Sequence, residues 1–193
     1  MMEKCANIIA DWLISCKVVE ETDKELYSYA VHSILLSLSP LALAIGFGIC
    51  MGCVRQSVMI IMPFVIIRKF SGGYHTKHAW SCLLWSCLLL LLCITISFYI
   101  KCGWEIALVT VGAAVSLILN SPIDNVNREL DQEEHHRYKK ITTVLVLVFA
   151  LTTVLLFECR LYTYSLCISI GIVLSAGLQL PCIFKKVRQL FVK

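Results

Sequence analysis

Six apolar runs, at about 29–53, 57–67, 79–100, 105–120, 141–157 and 162–184, divide this chain of 193 residues, with the charged residues gathered into the short pieces between them. With 59% hydrophobic residues and a mean hydropathy of +0.80, it lies well outside the range of a water-soluble domain. A perpendicular helical span needs roughly 20 residues and tolerates about 17. By that measure 57–67 and 105–120 are short, and the second run reaches Cys53–Phe70 only by admitting Arg55 and Gln56, which predicts a thin, tilted or partly inserted helix. The expectation is an all-α, polytopic membrane protein with about six transmembrane segments in a single integral membrane domain over 1–193. Residues 1–26 form an amphipathic helix and connector, 27–184 the transmembrane bundle and 185–193 a basic cytoplasmic tail.

Lys and Arg set the orientation. The pieces between the runs alternate between high and low counts, and six crossings with both termini cytoplasmic place fourteen cations inside and three outside. If the second run does not cross, the best split is twelve to five, with the N-terminus outside. Either way the 68–78 segment, the 121–140 loop and the tail face the cytoplasm. The net charge of +4 is then a topogenic signal and an attraction to anionic lipid, and gives no reason to invoke nucleic acid. The N-terminus lacks an early basic region, apolar core and small-residue cleavage site, so the mature chain is expected to begin at Met1.

Residues 3–18 place Cys5, Ile8, Ile9, Trp12, Leu13 and Cys16 at helical spacing with Lys4, Asn7, Asp11 and Ser15 opposite. This predicts an amphipathic helix in the membrane surface, serving as an anchor or as part of a docking platform. In the first run Gly46, Gly48 and Gly52 are expected to permit close helix approach, and His32 to sit at an interface. Pro122 is expected to end the helix before it, and the mixed charge after Asn127 predicts a cytoplasmic helix that runs on into the fifth span. The eleven cysteines follow no repeating spacing, and Cys50, Cys87, Cys93 and Cys167 lie inside apolar runs, where a thiol packs as a small hydrophobe.

The chemistry concentrates in Arg68-Lys69-Phe70-Ser71-Gly72-Gly73-Tyr74-His75, with Cys82 seven residues further on. If the chain is helical from His75 onward, the two side chains share a face roughly 10 Å apart along the axis, within reach but not in contact. Imidazole and thiol are the minimum apparatus for thiolate chemistry, since His75 can take the Cys82 proton and return it to a leaving amine. On a membrane chain this points to a membrane-embedded cysteine protease. Gly72-Gly73 would break the helix and aim backbone N–H groups at one point, forming an oxyanion hole. Arg68 either snorkels to phosphates or holds a developing oxyanion. Ser71, Ser86, Asp124, Asn125 and Asn127 are all candidates to orient His75. An alternative reads His75, His78 and Cys82 as ligands of a metal or small-solute transporter, and a second reads the segment as structural only.

Arg68, Gly72-Gly73-x-His75 and x6-Cys82, with the later Ser121-Pro122-x4-Asn127 element, resemble the AgrB family of quorum-sensing propeptide processors over almost the whole chain. The resemblance implies His75 and Cys82 as a catalytic dyad, with Arg68 and Gly73 needed for activity. It also implies an AgrD-like precursor as substrate, a thiolactone or lactone product, a homodimer and a multi-pass place in the bacterial cell membrane with the site on the cytoplasmic side. No cofactor is expected. Lys69, Lys77, Arg128, Lys139 and Lys140 are candidates to attract the precursor's acidic tail. Where some family members carry a lysine cluster, this chain reads Val126-Asn127-Arg128.

Overall fold

The computed structural model describes residues 2–16, 21–71, 79–123, 131–182 and 184. Among them the fold is all-helical, with α1 Met2–Ser15, α2 Lys24–Cys50, α3 Val54–Ser71, α4 Ala79–Tyr99, α5 Trp104–Asn120, α6 Gln132–Glu158 and α7 Tyr162–Gly177. The apolar runs become helices α2 to α7, and the charged stretch from Gln132 continues without a break into the fifth run, as its pattern predicts. Asp131 caps α6 by accepting a hydrogen bond from the Gln132 N–H at 2.8 Å. Among the described residues two helices, Gln132–Glu158 and Tyr162–Cys182, are long and apolar enough to cross a membrane. The other apolar stretches, Leu38–Cys50, Trp85–Tyr99 and Trp104–Asn120, are shorter.

Helix α3 is central and packs against α2, α6 and α7, while α5 packs on α6 and α7. One glycine makes the tightest seam. A Cβ on Gly171 of α7 would lie 2.4 Å from the Ile60 carbonyl oxygen and 2.5 Å from the Pro63 ring, so only a bare backbone fits against α3 there. At the α2–α3 corner the three glycines expected to act alike do different things. Gly48 makes a close approach, 2.8 Å from Val54 Cα to its would-be Cβ; Gly52 holds a positive φ of 66° in the turn; Gly46 has no neighbour within 4 Å among the described residues.

Helix α1 is amphipathic as its pattern predicts, and it also packs against the bundle. Its small residues Ala6 and Ala10 are buried and the helix rests on α2. Asn7 accepts a hydrogen bond from Ser28, and Asp11 pairs with Lys24. The Asp11 hydrogen bond and charge push the Lys24 pKa upward. Ile8 and Trp12 face outward at 66% and 62% exposure. The polar stripe therefore finds partners on α2, and part of the apolar stripe is left for whatever surrounds the molecule.

Helix α6 is inside-out by aqueous standards. Thr142 and Thr153 are buried while Leu147, Leu151 and Leu155 are exposed. A leucine stripe on that scale needs a lipid or protein covering.

Candidate active site

The C-terminal ends of α3, α5 and α7 and the start of α6 come together at one end of the bundle. An apolar layer of Ile67, Leu117, Val146 and Ala176, one residue from each helix, packs there. About one helical turn further toward that end lies a second layer of Ser71, Ser121, Thr142 and Gln179, all buried and all polar. Gln179 Nε2 donates to the Ser71 carbonyl at 3.2 Å and to Ser121 Oγ at 2.9 Å. The Ile123 N–H donates to the same Ser71 carbonyl at 3.0 Å. Ser71 is thereby bound to the loop after α5 and to the end of the seventh helix.

Arg68 and Lys69 occupy the last turn of α3. The Arg68 guanidinium sits 5.5 Å from the centre of the Phe64 ring and Lys69 Nζ 5.7 Å from that of Phe70. Phe70 meets Tyr138 of α6 edge-on, ring centres 6.0 Å apart, which ties the end of α3 to the charged start of α6. An open cleft of about 360 Å³ there is lined by Gln132, His135, His136 and Lys139. Lys139 and Lys140 are exposed at this end, while Arg55, Lys101 and Arg160 belong to the opposite end, at the α2–α3, α4–α5 and α6–α7 connections.

Gly72, Gly73, His75, Lys77, His78, Asp124, Asn125, Asn127 and Arg128 lie outside the described residues. Cys82 belongs to α4, among its first described residues. Ser86, a candidate to orient His75, lines a small apolar crevice with Pro40, Phe64 and Leu90. Of the predicted site residues, those described at this end are Arg68, Lys69, Ser71, Lys139 and Lys140. Gln179 and His135 carry polar chemistry to the same place, and no motif in the sequence marks them. Gln179 is a lone amide in an apolar run, a residue that must find partners once buried. His135 stands three residues before Tyr138 and seven before Thr142, on the face of α6 turned toward α3.

Together the helices define an all-α protein with membrane-crossing capacity and a polar layer at the end of the bundle where its central helix runs into Gly72. The chain belongs to the AgrB family, Accessory gene regulator B, whose pattern it matches over residues 3–181. It is 24% identical to an AgrB-like protein of Halalkalibacterium halodurans over 191 residues, covering 98% of this chain and 92% of that one. An AgrB-like protein of Clostridium perfringens is 21% identical over 198 residues, covering 95% and 90%. For one of Listeria monocytogenes the figures are 29% over 136 residues, 68% of this chain and 66% of that protein. No solved structure matches. Membership supports a role in accessory-gene-regulator peptide processing and does not favour the transporter alternative.

Proposed function

We propose that this protein is a membrane-embedded cysteine endopeptidase that processes an AgrD-like signal precursor. The observation that carries the reading is the Arg68, Gly72-Gly73-x-His75, x6-Cys82 pattern, which falls inside the matched family region. His75 takes the Cys82 proton, and the thiolate attacks the carbonyl that joins the signal segment to the acidic tail. The new C–S bond forms as the C–N bond breaks, and His75 returns the proton to the departing amine. Backbone N–H groups of Gly72-Gly73 and the Arg68 guanidinium stabilise the tetrahedral oxyanion.

The precursor's internal thiol, or a hydroxyl in its place, then attacks the Cys82 thioester, closing the ring and releasing the Cys82 thiol. Thiol exchange between thioesters is close to isoenergetic, so cyclisation must outrun hydrolysis, and an acyl-enzyme sheltered from water favours it. Six crossings with both termini cytoplasmic put this site at the inner leaflet of the bacterial membrane. That orientation is supported by the cations Arg68, Lys69, Lys139 and Lys140 at one end of the bundle, against Arg55, Lys101 and Arg160 at the other. The cleft beside Lys139 offers the acidic tail a place to dock, with Lys69, Lys77, Arg128 and Lys140 adding to the field. The working unit is a homodimer.

Cleavage of the precursor in membranes tests the reading. Cys82→Ala and His75→Ala are each expected to abolish removal of the tail while membrane insertion is retained. Full processing by Cys82→Ala rules the mechanism out.

A further inference from the structure

Gln179 is 0% exposed. Its Nε2 carries two hydrogens, and both have acceptors, the Ser71 carbonyl and Ser121 Oγ. Among the described residues its Oε1 is buried with no donor, as is Thr142 Oγ1 in the same layer. A buried polar atom left without its hydrogen bond costs about 1–3 kcal/mol. A methionine of similar volume carries no such cost, so packing alone gives no reason for an amide here.

What the amide does that an apolar side chain cannot is hold one particular peptide group. The Ser71 carbonyl carbon is bonded to the Gly72 nitrogen, so this carbonyl directly precedes the glycine pair and His75 in the chain. Two segments distant in sequence donate to it at the end of α3: the Ser121–Ile123 loop through the Ile123 N–H, and the turn after α7 through Gln179, which also donates to Ser121. Glycine is the residue least able to hold its own conformation. A glycine pair that must present donors and a histidine in one geometry therefore depends on how its entry point is anchored.

We propose that Gln179 is a positioning residue for the Cys82–His75 chemistry, acting through the Ser71 carbonyl to fix the entry into Gly72-Gly73 and so the approach of His75 to the thiol. This rests on the dyad reading above. It places a determinant of reactivity just beyond α7, about a hundred residues from the motif it serves.

The test is the pH profile of Cys82 alkylation by iodoacetamide in the full-length protein, read at that residue by mass spectrometry, so that no peptide substrate is needed. A histidine held against the thiol raises the rate near neutral pH. Gln179→Met is expected to lower that rate about fivefold or more and to move the midpoint of the profile upward, toward the profile of His75→Ala. Thermal unfolding should stay within a few degrees of the native protein. Ser121→Ala removes only one acceptor and should shift the profile in the same direction by a smaller amount; it carries the test if Gln179→Met fails to accumulate. If His75→Ala slows alkylation but Gln179→Met, or Ser121→Ala in its place, keeps the native profile, the positioning role is overturned and the dyad stands. If His75→Ala itself leaves the profile unchanged, the dyad reading falls and this inference falls with it.

Discussion

The Ile123 N–H donates to the Ser71 carbonyl at 3.0 Å across 52 positions of sequence, joining the loop after α5 to the end of α3. A loop amide in open water exchanges freely, whereas one bonded to a buried carbonyl exchanges only when the structure opens. The Ile123 amide should therefore be protected in hydrogen exchange to a degree typical of helix interiors. Gln179→Met, which removes a second donor from the same carbonyl, should speed its exchange. Exchange at an unprotected loop rate in the native protein would show that the bond is not held in solution.

The glycines supply a paired test. At Gly171 an added methyl would lie 2.4 Å from a backbone oxygen and 2.5 Å from a proline ring, neither of which can swing aside. Gly171→Ala should therefore cost about 1–3 kcal/mol by overpacking, against a gain in helix propensity of about 1 kcal/mol. At Gly46 none of the described residues lies within 4 Å, so Gly46→Ala keeps the propensity gain. Thermal unfolding in detergent should show a lowered midpoint for the first and an unchanged or raised one for the second. The reverse order contradicts the α3–α7 seam.

That pair also marks what the sequence discloses. Helices α2 to α7 were legible because each is an apolar run bounded by charge, proline or glycine, a signal local to the segment. Gly46, Gly48 and Gly52 were indistinguishable because what separates them is a partner, Val54 and Ser57 for Gly48, and a backbone angle for Gly52. Gly171 depends on Ile60 and Pro63, more than a hundred positions away, and Gln179 on Ser71 and Ser121. Helix α1 was legible as an amphipathic helix but not in its packing, because Ala6 and Ala10 bury easily without standing out in a hydrophobicity pattern. The motif from Arg68 to Cys82 was readable from residue types alone. The contacts of the Ser71 carbonyl within it are visible only in the fold.

Phe70 and Tyr138 link the end of α3 to the charged start of α6, ring centres 6.0 Å apart and edge-on. A double-mutant cycle with Phe70→Leu and Tyr138→Leu should give a coupling of about 0.5–1.5 kcal/mol in unfolding free energy. Additive losses would mean that the rings do not interact and that α6 is held by its apolar contacts alone.

Thiol chemistry should be confined to one site. Cys93 and Cys167 are buried in a cluster with Cys53, Ile60 and Ile94, away from the polar layer. Cys93→Ala and Cys167→Ala should each process precursor within about twofold of the native protein, whereas Cys82→Ala should show no cleavage. Inactivation by iodoacetamide should follow alkylation at Cys82 and not at the exposed Cys5, Cys16, Cys50 or Cys159. Loss of cleavage on replacing Cys167 without loss of folding would move the nucleophile elsewhere.

Arg68 separates two physical roles that share a charge. A side chain that only snorkels to lipid phosphate needs a cation on a flexible stem, and lysine supplies one. Arg68 is half-buried in the last turn of α3, with its guanidinium 5.5 Å from the centre of the Phe64 ring, a placement that favours a planar group able to stack and to offer paired donors. If those donors stabilise the oxyanion, Arg68→Lys should lower the turnover of precursor by about tenfold or more, because the fork is lost while the charge is kept. Membrane insertion, orientation and KM should change little. Turnover of Arg68→Lys equal to that of the native protein would assign the residue to the lipid boundary and leave the oxyanion to the glycine backbone alone.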